Sequence, residues 1–501
     1  MPPPGGPRPD VTGGAEAPSR RRDQVAPHVF VIVGGTGDLA EKKLLPAVYR
    51  LERQGALEGD HLVLAVAREE LDDDAYRRFA RQALAAAGIP AAGLADWCDA
   101  RLFYEPVRSD EGYGKVAARL AALEERHGLP GNRVFYLAVP PEAFPDAVRS
   151  LAEAGLHEAP GWTRLVVEKP FGRDLTTAAD LNALAHRFFA EEQIFRIDHF
   201  LGKETVQNLF VFRFANAMFE ALWNRDRVES VEITVAESIG IGDRAGFYEG
   251  AGALKDMVQN HLTQILALVA MDVPASYDAE AVHYEKLKVL RSVQPLRPED
   301  VVFGQYAAGE VAGQPVAGYL EEEEVDPESR TETYVALRMG IETWRWQGVP
   351  FYLRTGKRLP RQLTEIVVVF RRPPVCLFES LNCSDLGEDK LVITLQPDEG
   401  FALFFDVKRP GEPLSLENLP LQFRYEEAFG PLPDAYVTLL LDILLGDSTL
   451  FVHADLVEEA WRIYEPILRT NLRVHPYPAG SWGPREADRL PARDGNLWNE
   501  R

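Results

Sequence analysis

Four residues able to move protons or hold anions fall within eight positions in the stretch F-R-I-D-H-F-L-G-K-E at residues 195–204: Arg196, Asp198, His199 and Lys203. An apolar run precedes this stretch and an amphipathic run follows it. Charges so placed mark the mouth of a strand-to-helix junction, where ligands of α/β folds collect. A second candidate is the turn Gly34-Gly35-Thr36-Gly37, set between the β-branched run H-V-F-V-I-V and a helical pattern opened by Asp38 and Leu39. Such glycines let backbone amides approach a pyrophosphate, whose charge a helix N-terminus favours. Taken alone, the spacing also suits an ordinary tight turn. A third candidate is Lys169 in E-K-P-F-G, because proline holds the preceding residue extended and presents this lysine at a strand end. A fourth is His261, on a helical stripe with Leu254, Met257, Val258, Ile265 and Leu268. A lone histidine on such a face is most often a core residue.

The elements that must position these groups follow from periodicity. Runs at 28–33, 61–67, 132–139 and 164–167 read as strands, and 71–87 and 115–127 as helices between them. The second strand ends at Arg68. A cation there accommodates a ribose 2′-phosphate, as in NADP, whereas an acid selects NAD; Glu69 and Glu70 follow and mix the signal. Tyr136 lies in the third strand and reads equally well as a core residue. Beyond 200, helices are expected at 201–216, 253–271, 434–445 and 455–468. Strands are expected at 230–236, ending at Glu237, and at 333–338, 349–354, 364–370, 390–395 and 402–407. The expected fold is an α/β Rossmann domain over 28–199. It is followed by an α+β domain over 200–485 with a large, mostly antiparallel sheet. Residues 1–27 are expected to be a disordered tail and 486–501 a loose one, the Pro/Gly-rich character beginning near 475.

Composition narrows the partners. The 501 residues carry a net charge of −23, which argues against nucleic acid or an anionic membrane as the main partner. An anionic substrate then requires cations concentrated locally. The three cysteines, Cys98, Cys376 and Cys383, make neither a disulfide scaffold nor a metal-like spacing, so a reducing cytoplasm and no metal are expected. No secretory h-region and no run near membrane-spanning length is present.

Five motifs, in order along residues 28–485, resemble the glucose-6-phosphate dehydrogenases of the bacterial type. G-G-T-G-D-L-A-E-K-K-L is similar to that family's coenzyme loop G-A-S-G-D-L-A-x-K-K. F-Y-L-A-V-P-P is similar to F-Y-L-A-x-P-P. E-K-P-F-G is shared with it, although E-K-P also occurs in the wider group around glucose–fructose oxidoreductase. R-I-D-H-F-L-G-K-E resembles R-I-D-H-Y-L-G-K-E, and K-D-M-V-Q-N-H-L resembles R-D-x-x-Q-N-H-L. R-T-G-K-R-L, at 354–359, is close to R-x-G-K-x-L as well.

The resemblance implies oxidation of D-glucose 6-phosphate to 6-phospho-D-glucono-1,5-lactone with NADP as cofactor, the first step of the oxidative pentose phosphate pathway. It implies self-association as a dimer or tetramer. His261 becomes the candidate base, Asp198 the acid that orients it, and Lys169 a catalytic cation near the reacting end, touching substrate and coenzyme. His199 and Lys203 would hold the phosphate. Glu237, Asp256, Lys357 and Gln362 would meet the sugar phosphate, with Gln396 a further contact. Gly34, Gly35, Thr36, Gly37, Asp38, Leu39, Arg68 and Tyr136 would hold the coenzyme.

Departures from the family pattern are Lys255 for arginine, Phe200 for tyrosine and Gln362 where a basic residue is frequent. Phe200 removes a hydroxyl donor to the phosphate and Gln362 a positive charge, and losing one charge-assisted bond costs about 1.5–3 kcal/mol. Weaker phosphate binding is therefore expected. Thr394 stands where some animal members carry an arginine for a second NADP, so that second site is not expected. A sugar dehydrogenase preferring free hexose or NAD, and a catalytically silent NADP-binding regulator, are the alternatives.

Overall fold

The protein is described here by a computed structural model covering residues 25–499, apart from 58, 109–111, 376, 378–385 and 412–413. The expected tail up to residue 24, Cys376 and Cys383 lie outside the described residues. Val25 is buried, and the Pro27 carbonyl accepts a bond from Asn132, so the ordered chain begins before 28.

Six strands form the first sheet: β1 (His28–Val33), β2 (His61–Ala67), β3 (Leu102–Pro106), β4 (Arg133–Leu137), β5 (Thr163–Glu168) and β6 (Ile194–Ile197). Their order is β3-β2-β1-β4-β5-β6 and every pair is parallel. This is the doubly wound order of dinucleotide-binding domains, with its switch point between β1 and β4. Parallel strands carry helices on both faces, which is why β1 reads H-V-F-V-I-V and is buried throughout.

The second sheet has nine strands in the order β16-β15-β14-β13-β7-β12-β11-β8-β17. They are β7 (Val228–Ala236), β8 (Val301–Ala307), β11 (Tyr334–Met339), β12 (Phe351–Gly356), β13 (Leu363–Phe370), β14 (Lys390–Gln396), β15 (Gly400–Lys408), β16 (Leu416–Arg424) and β17 (Val474–Pro478). A two-stranded ribbon, β9 (Gly309–Val311) with β10 (Gln314–Val316), stands apart. The sheet is antiparallel except for the pairs β7–β12 and β8–β17. One face, with Val231, Ile233, Val235, Val335 and Leu337, packs in the main core with the apolar helix Thr263–Ala270.

The opposite face corrects the expectation of a loose C-terminus. Val474–Pro478 is an edge strand, and Leu490 and Trp498 are buried among Tyr352, Tyr334 and Tyr477. Trp498 donates to the Ala487 carbonyl, Arg354 stacks 4.5 Å from its ring, and the Asn499 amide donates to Glu232. Glycine and proline shape the turns of this segment, but its aromatics cover a sheet face that would otherwise meet water.

If this packing holds the sheet, Trp498→Ala should cost about 3–5 kcal/mol, as buried aromatic truncations do. A clear drop in thermal midpoint is expected; an unchanged midpoint would return the segment to a loose tail.

Candidate active site

The candidate chemistry gathers where the two halves of the chain meet at the end of β5, the end of β6 and the helical segment 254–270. Glu168 closes β5 and Lys169 follows it; Ile197 closes β6 and Asp198 follows it. His261 comes from the second half. Its expected helix is regular only over Thr263–Ala270; residues Leu254–Leu262 wind as a π-helix. In an α-helix, residues five apart diverge by about 140°. The i→i+5 bonding of a π-helix brings them onto one side. Asp256 and His261 are five apart, and both reach Lys169: its Nζ lies 3.1 Å from Asp256 Oδ1 and 2.7 Å from His261 Nε2.

On its other nitrogen, Nδ1, His261 is 2.5 Å from Asp198 Oδ1, with both side chains about 1% exposed. Burial alone would raise the Asp198 carboxyl. The His261 interaction, with the charge of Lys169, instead holds it well below the usual carboxylate range. An ionised carboxylate only accepts, so Nδ1 carries the proton and Nε2 presents a lone pair. Burial lowers His261 itself, and Lys169 adds to that, against the opposing pull of Asp198. The phenyl ring of Phe200 stacks on the imidazole at 4.3 Å, and the Phe200 amide donates to Asp198.

Around this centre lie two further groups. The register of the second sheet places the ends of β7 and β12 and the start of β13 side by side, with Ala236 opposite both Gly356 and Leu363. Glu237 and Lys357 follow the first two and pair at 2.7 Å. Gln362 precedes the third and is exposed. Buried Tyr248 stands between this pair and Asp256: Lys357 lies 5.3 Å from its ring, and burial, with the charges of Asp256 and Glu237, raises its hydroxyl. His199 and Lys203 line a cleft of about 500 Å³ with Leu39, Lys43, Glu399 and Tyr436. Lys203 donates to the Gln396 side chain, and burial pulls its ammonium down to about 8. Burial and the nearby His261 lower His199 to about 3, so without a ligand it donates as a neutral ring.

The glycine turn fits a dinucleotide, but through its shape. A Cβ at Gly34 would lie 2.2 Å from the Ala138 carbonyl oxygen, and Gly34 has φ +91°; a Cβ at Gly35 would meet Ala65. The Gly34 and Gly35 amides both bond to Val66 O, and the Gly37 amide to Gly34 O. Gly34 and Gly35 therefore bring the turn close to β4 and β2, Gly37 closes it on Gly34, and the orphan amides of the helix start are left for an anion. Thr36 donates to Glu69 while Arg68 is exposed beside it. Of the two readings of Tyr136, its place in the structure fits the core one: it is fully buried and donates to Glu168, which Tyr436 also bonds. It faces the interior and braces the residue before Lys169.

Sequence reasoning missed Tyr248, Tyr436, Arg244, which lies 4.0 Å from Asp256, and buried Lys286, whose charge interacts with Asp198. None lies in a motif, and Tyr436 is 268 residues from the Glu168 it bonds.

Comparison with known proteins fits this geometry. The family profile described as glucose-6-phosphate dehydrogenase, NAD binding domain matches residues 31–208, and that of the C-terminal domain matches 210–499. The chain belongs to the glucose-6-phosphate dehydrogenase family. It is similar to the glucose-6-phosphate 1-dehydrogenase of Aggregatibacter actinomycetemcomitans, 47% identical over 94% of this chain and 96% of the relative. The Rhizobium meliloti enzyme of the same name is 45% identical over 95% and 98%. Among solved structures, a glucose-6-phosphate dehydrogenase in complex with its substrate glucose-6-phosphate superposes with a TM-score of 0.87 at 33% identity, over 95% of this chain and 99% of that one. The Mycobacterium avium glucose-6-phosphate 1-dehydrogenase gives 0.81 at 37%, over 94% and 99%. The dinucleotide-binding domain belongs to the family as a whole.

Side-chain nitrogen spectra of the ¹⁵N-histidine-labelled chain test the electrostatics. His261 should be uncharged at pH 7 with its proton on Nδ1, and should charge only below the ordinary histidine range near about 6.5. A resonance charging above that range would contradict the balance described.

Proposed function

We propose that this chain oxidises D-glucose 6-phosphate at C1 to 6-phospho-D-glucono-1,5-lactone, with NADP as the hydride acceptor. The observation that carries the reading is the buried Asp198–His261 pair, with the free face of His261 turned to Lys169. Breaking the C1 hemiacetal O–H requires a base. His261 Nε2 takes that proton, and Asp198 holds the tautomer and favours the imidazolium that forms. Lys169 donates to the sugar oxygen at the same place, and its charge discourages protonation of His261 before substrate arrives. As the proton leaves, the C1–O bond becomes a carbonyl and the C1 hydride departs. When bound, nicotinamide supplies the accepting carbon for that hydride.

Asp256, Glu237 and Lys357 take the sugar hydroxyls, and His199 and Lys203 the phosphate. Phe200 cannot donate to that phosphate; its ring lies against His261 instead. Gln362 stands beside the Glu237–Lys357 pair without a charge. Arg68, exposed where the ribose of a bound dinucleotide would lie, supports NADP over NAD. Self-association fits the exposed apolar residues Leu419, Leu421 and Phe423 on edge strand β16. A cytoplasmic location fits the composition, and no helix among the described residues is long and apolar enough to cross a membrane.

The experiment is reduced-coenzyme formation by purified protein with glucose 6-phosphate or glucose, each with NADP or NAD. A rate dominated by the phosphate ester and NADP is expected. Comparable rates with free glucose would show a relaxed phosphate pocket, and no rate with NADP still bound would favour a silent regulator. Asp198→Asn should lower kcat by about a hundredfold to ten-thousandfold, the range of a misoriented general base, with little change in KM. An unaltered kcat would remove the pair from the mechanism.

A further inference from the structure

A second constellation of metal-ligating side chains lies outside the active site. His283 sits on the helix Ala279–Arg291, and His453 and Asp455 at the start of the helix Ala454–Leu468. Asp455 Oδ1 is 3.1 Å from His283 Nε2 and 3.0 Å from His453 Nδ1. The two rings are 4.1 Å apart between centroids, and the three donor atoms fall within 4.8 Å of one another. A tetrahedral zinc with bonds of about 2.0–2.1 Å holds its ligand atoms about 3.3 Å apart. Two of the three separations already match that edge.

We propose that His283, His453 and Asp455 form a site for a divalent transition-metal ion of the zinc class. Two imidazoles and one carboxylate suit zinc, nickel or copper and do not suit magnesium or calcium, which take oxygen ligands. All three side chains are partly exposed, which leaves the fourth position to water and gives the ion an entry path. Glu191 Oε1 lies 3.5 Å from His453 Nδ1 but is already held by Arg196 and the Ala454 amide, so it serves as a neighbouring charge and not as a fourth ligand. His283 Nδ1 is buried with no partner among the described residues. A metal-bound ring lacking that outer hydrogen bond binds about tenfold to a hundredfold more weakly, so the site is one of moderate affinity.

Its place in the fold gives it a structural role. The Val452 amide donates to the Arg196 carbonyl in β6, and Asp198 directly follows β6. An ion here fastens the two second-half helices to each other beside the strand that presents Asp198. It stabilises the fold by mass action and takes no part in the reaction.

The test is calorimetric titration of the untagged, chelator-stripped full chain with zinc chloride, together with its thermal midpoint. One saturable zinc per chain is expected, with a raised midpoint. His283→Gln and His453→Gln should each weaken binding about tenfold or more, and metal-free activity should stay at the wild-type level. The wild-type chain offers a readout that needs no variant: saturating glucose 6-phosphate should leave the zinc in place. Displacement by the sugar phosphate would put the ion on the Asp198, His199 and His261 group and overturn the proposal. So would the absence of saturable binding, or unchanged affinity in the double variant.

Discussion

The buried hydrogen bond between His261 and Asp198 joins the two halves of this molecule where the chemistry lies, beside the contacts of Lys169 with Asp256 and His261. His261 comes from a helix packed on the nine-stranded sheet, and Asp198 directly follows the last strand of the six-stranded one. Each side chain is buried deeply enough that neither would be tolerated alone, since an unpaired buried charge costs far more than a paired one. The fold must therefore hold the sheets in register with each other, and the interface between them is constrained by a polar pair as well as by apolar packing. Arg213, Trp223 and Trp346 extend the same theme, donating to carbonyls at the end of the helix Thr263–Ala270. The helical segment that carries His261 is thus anchored at its far end.

Lys169 gives the pair its direction. A neutral imidazole backed by a carboxylate would be a stronger base in isolation, and a protonated one would be useless. An ammonium 2.7 Å from Nε2 sets a balance between those extremes. Asp256 shares that ammonium, and the π-helical winding that puts it there is a local departure from the regular helix. Such departures recur at functional sites because they re-aim side chains without breaking the element. Behind Lys169, Tyr136 and Tyr436 both bond to Glu168, whose carboxyl burial raises. The cation is therefore backed by one acid that a tyrosine from each half of the chain braces.

Much of this was legible in the sequence, and the limits of that legibility have physical causes. Strand β1, the glycine turn and β2 announce themselves because β-branched runs ending in glycine have few other uses. The short β6 did not, since I-F-R-I carries a buried arginine whose partner, Glu191, becomes apparent only in three dimensions. His261 was recoverable only from the wording around it, because a histidine on an apolar stripe looks the same whether it packs or reacts. Tyr136 went the other way: its strand R-V-F-Y-L is buried throughout because both faces of a parallel sheet are covered, so the sequence does not say which of its side chains could reach a ligand. The C-terminal segment misled through composition. Proline and glycine signalled looseness, while Trp498 and Leu490, too few for a periodic pattern, decide the packing.

The central claim is that His261 receives the C1 proton. A single-turnover measurement of NADP reduction, with His261→Ala saturated in both glucose 6-phosphate and NADP, tests it most directly. Removal of the base should slow the chemical step by at least about a hundredfold while binding of the sugar phosphate is kept. A chemical step as fast as that of the unaltered chain would contradict the account and require another base.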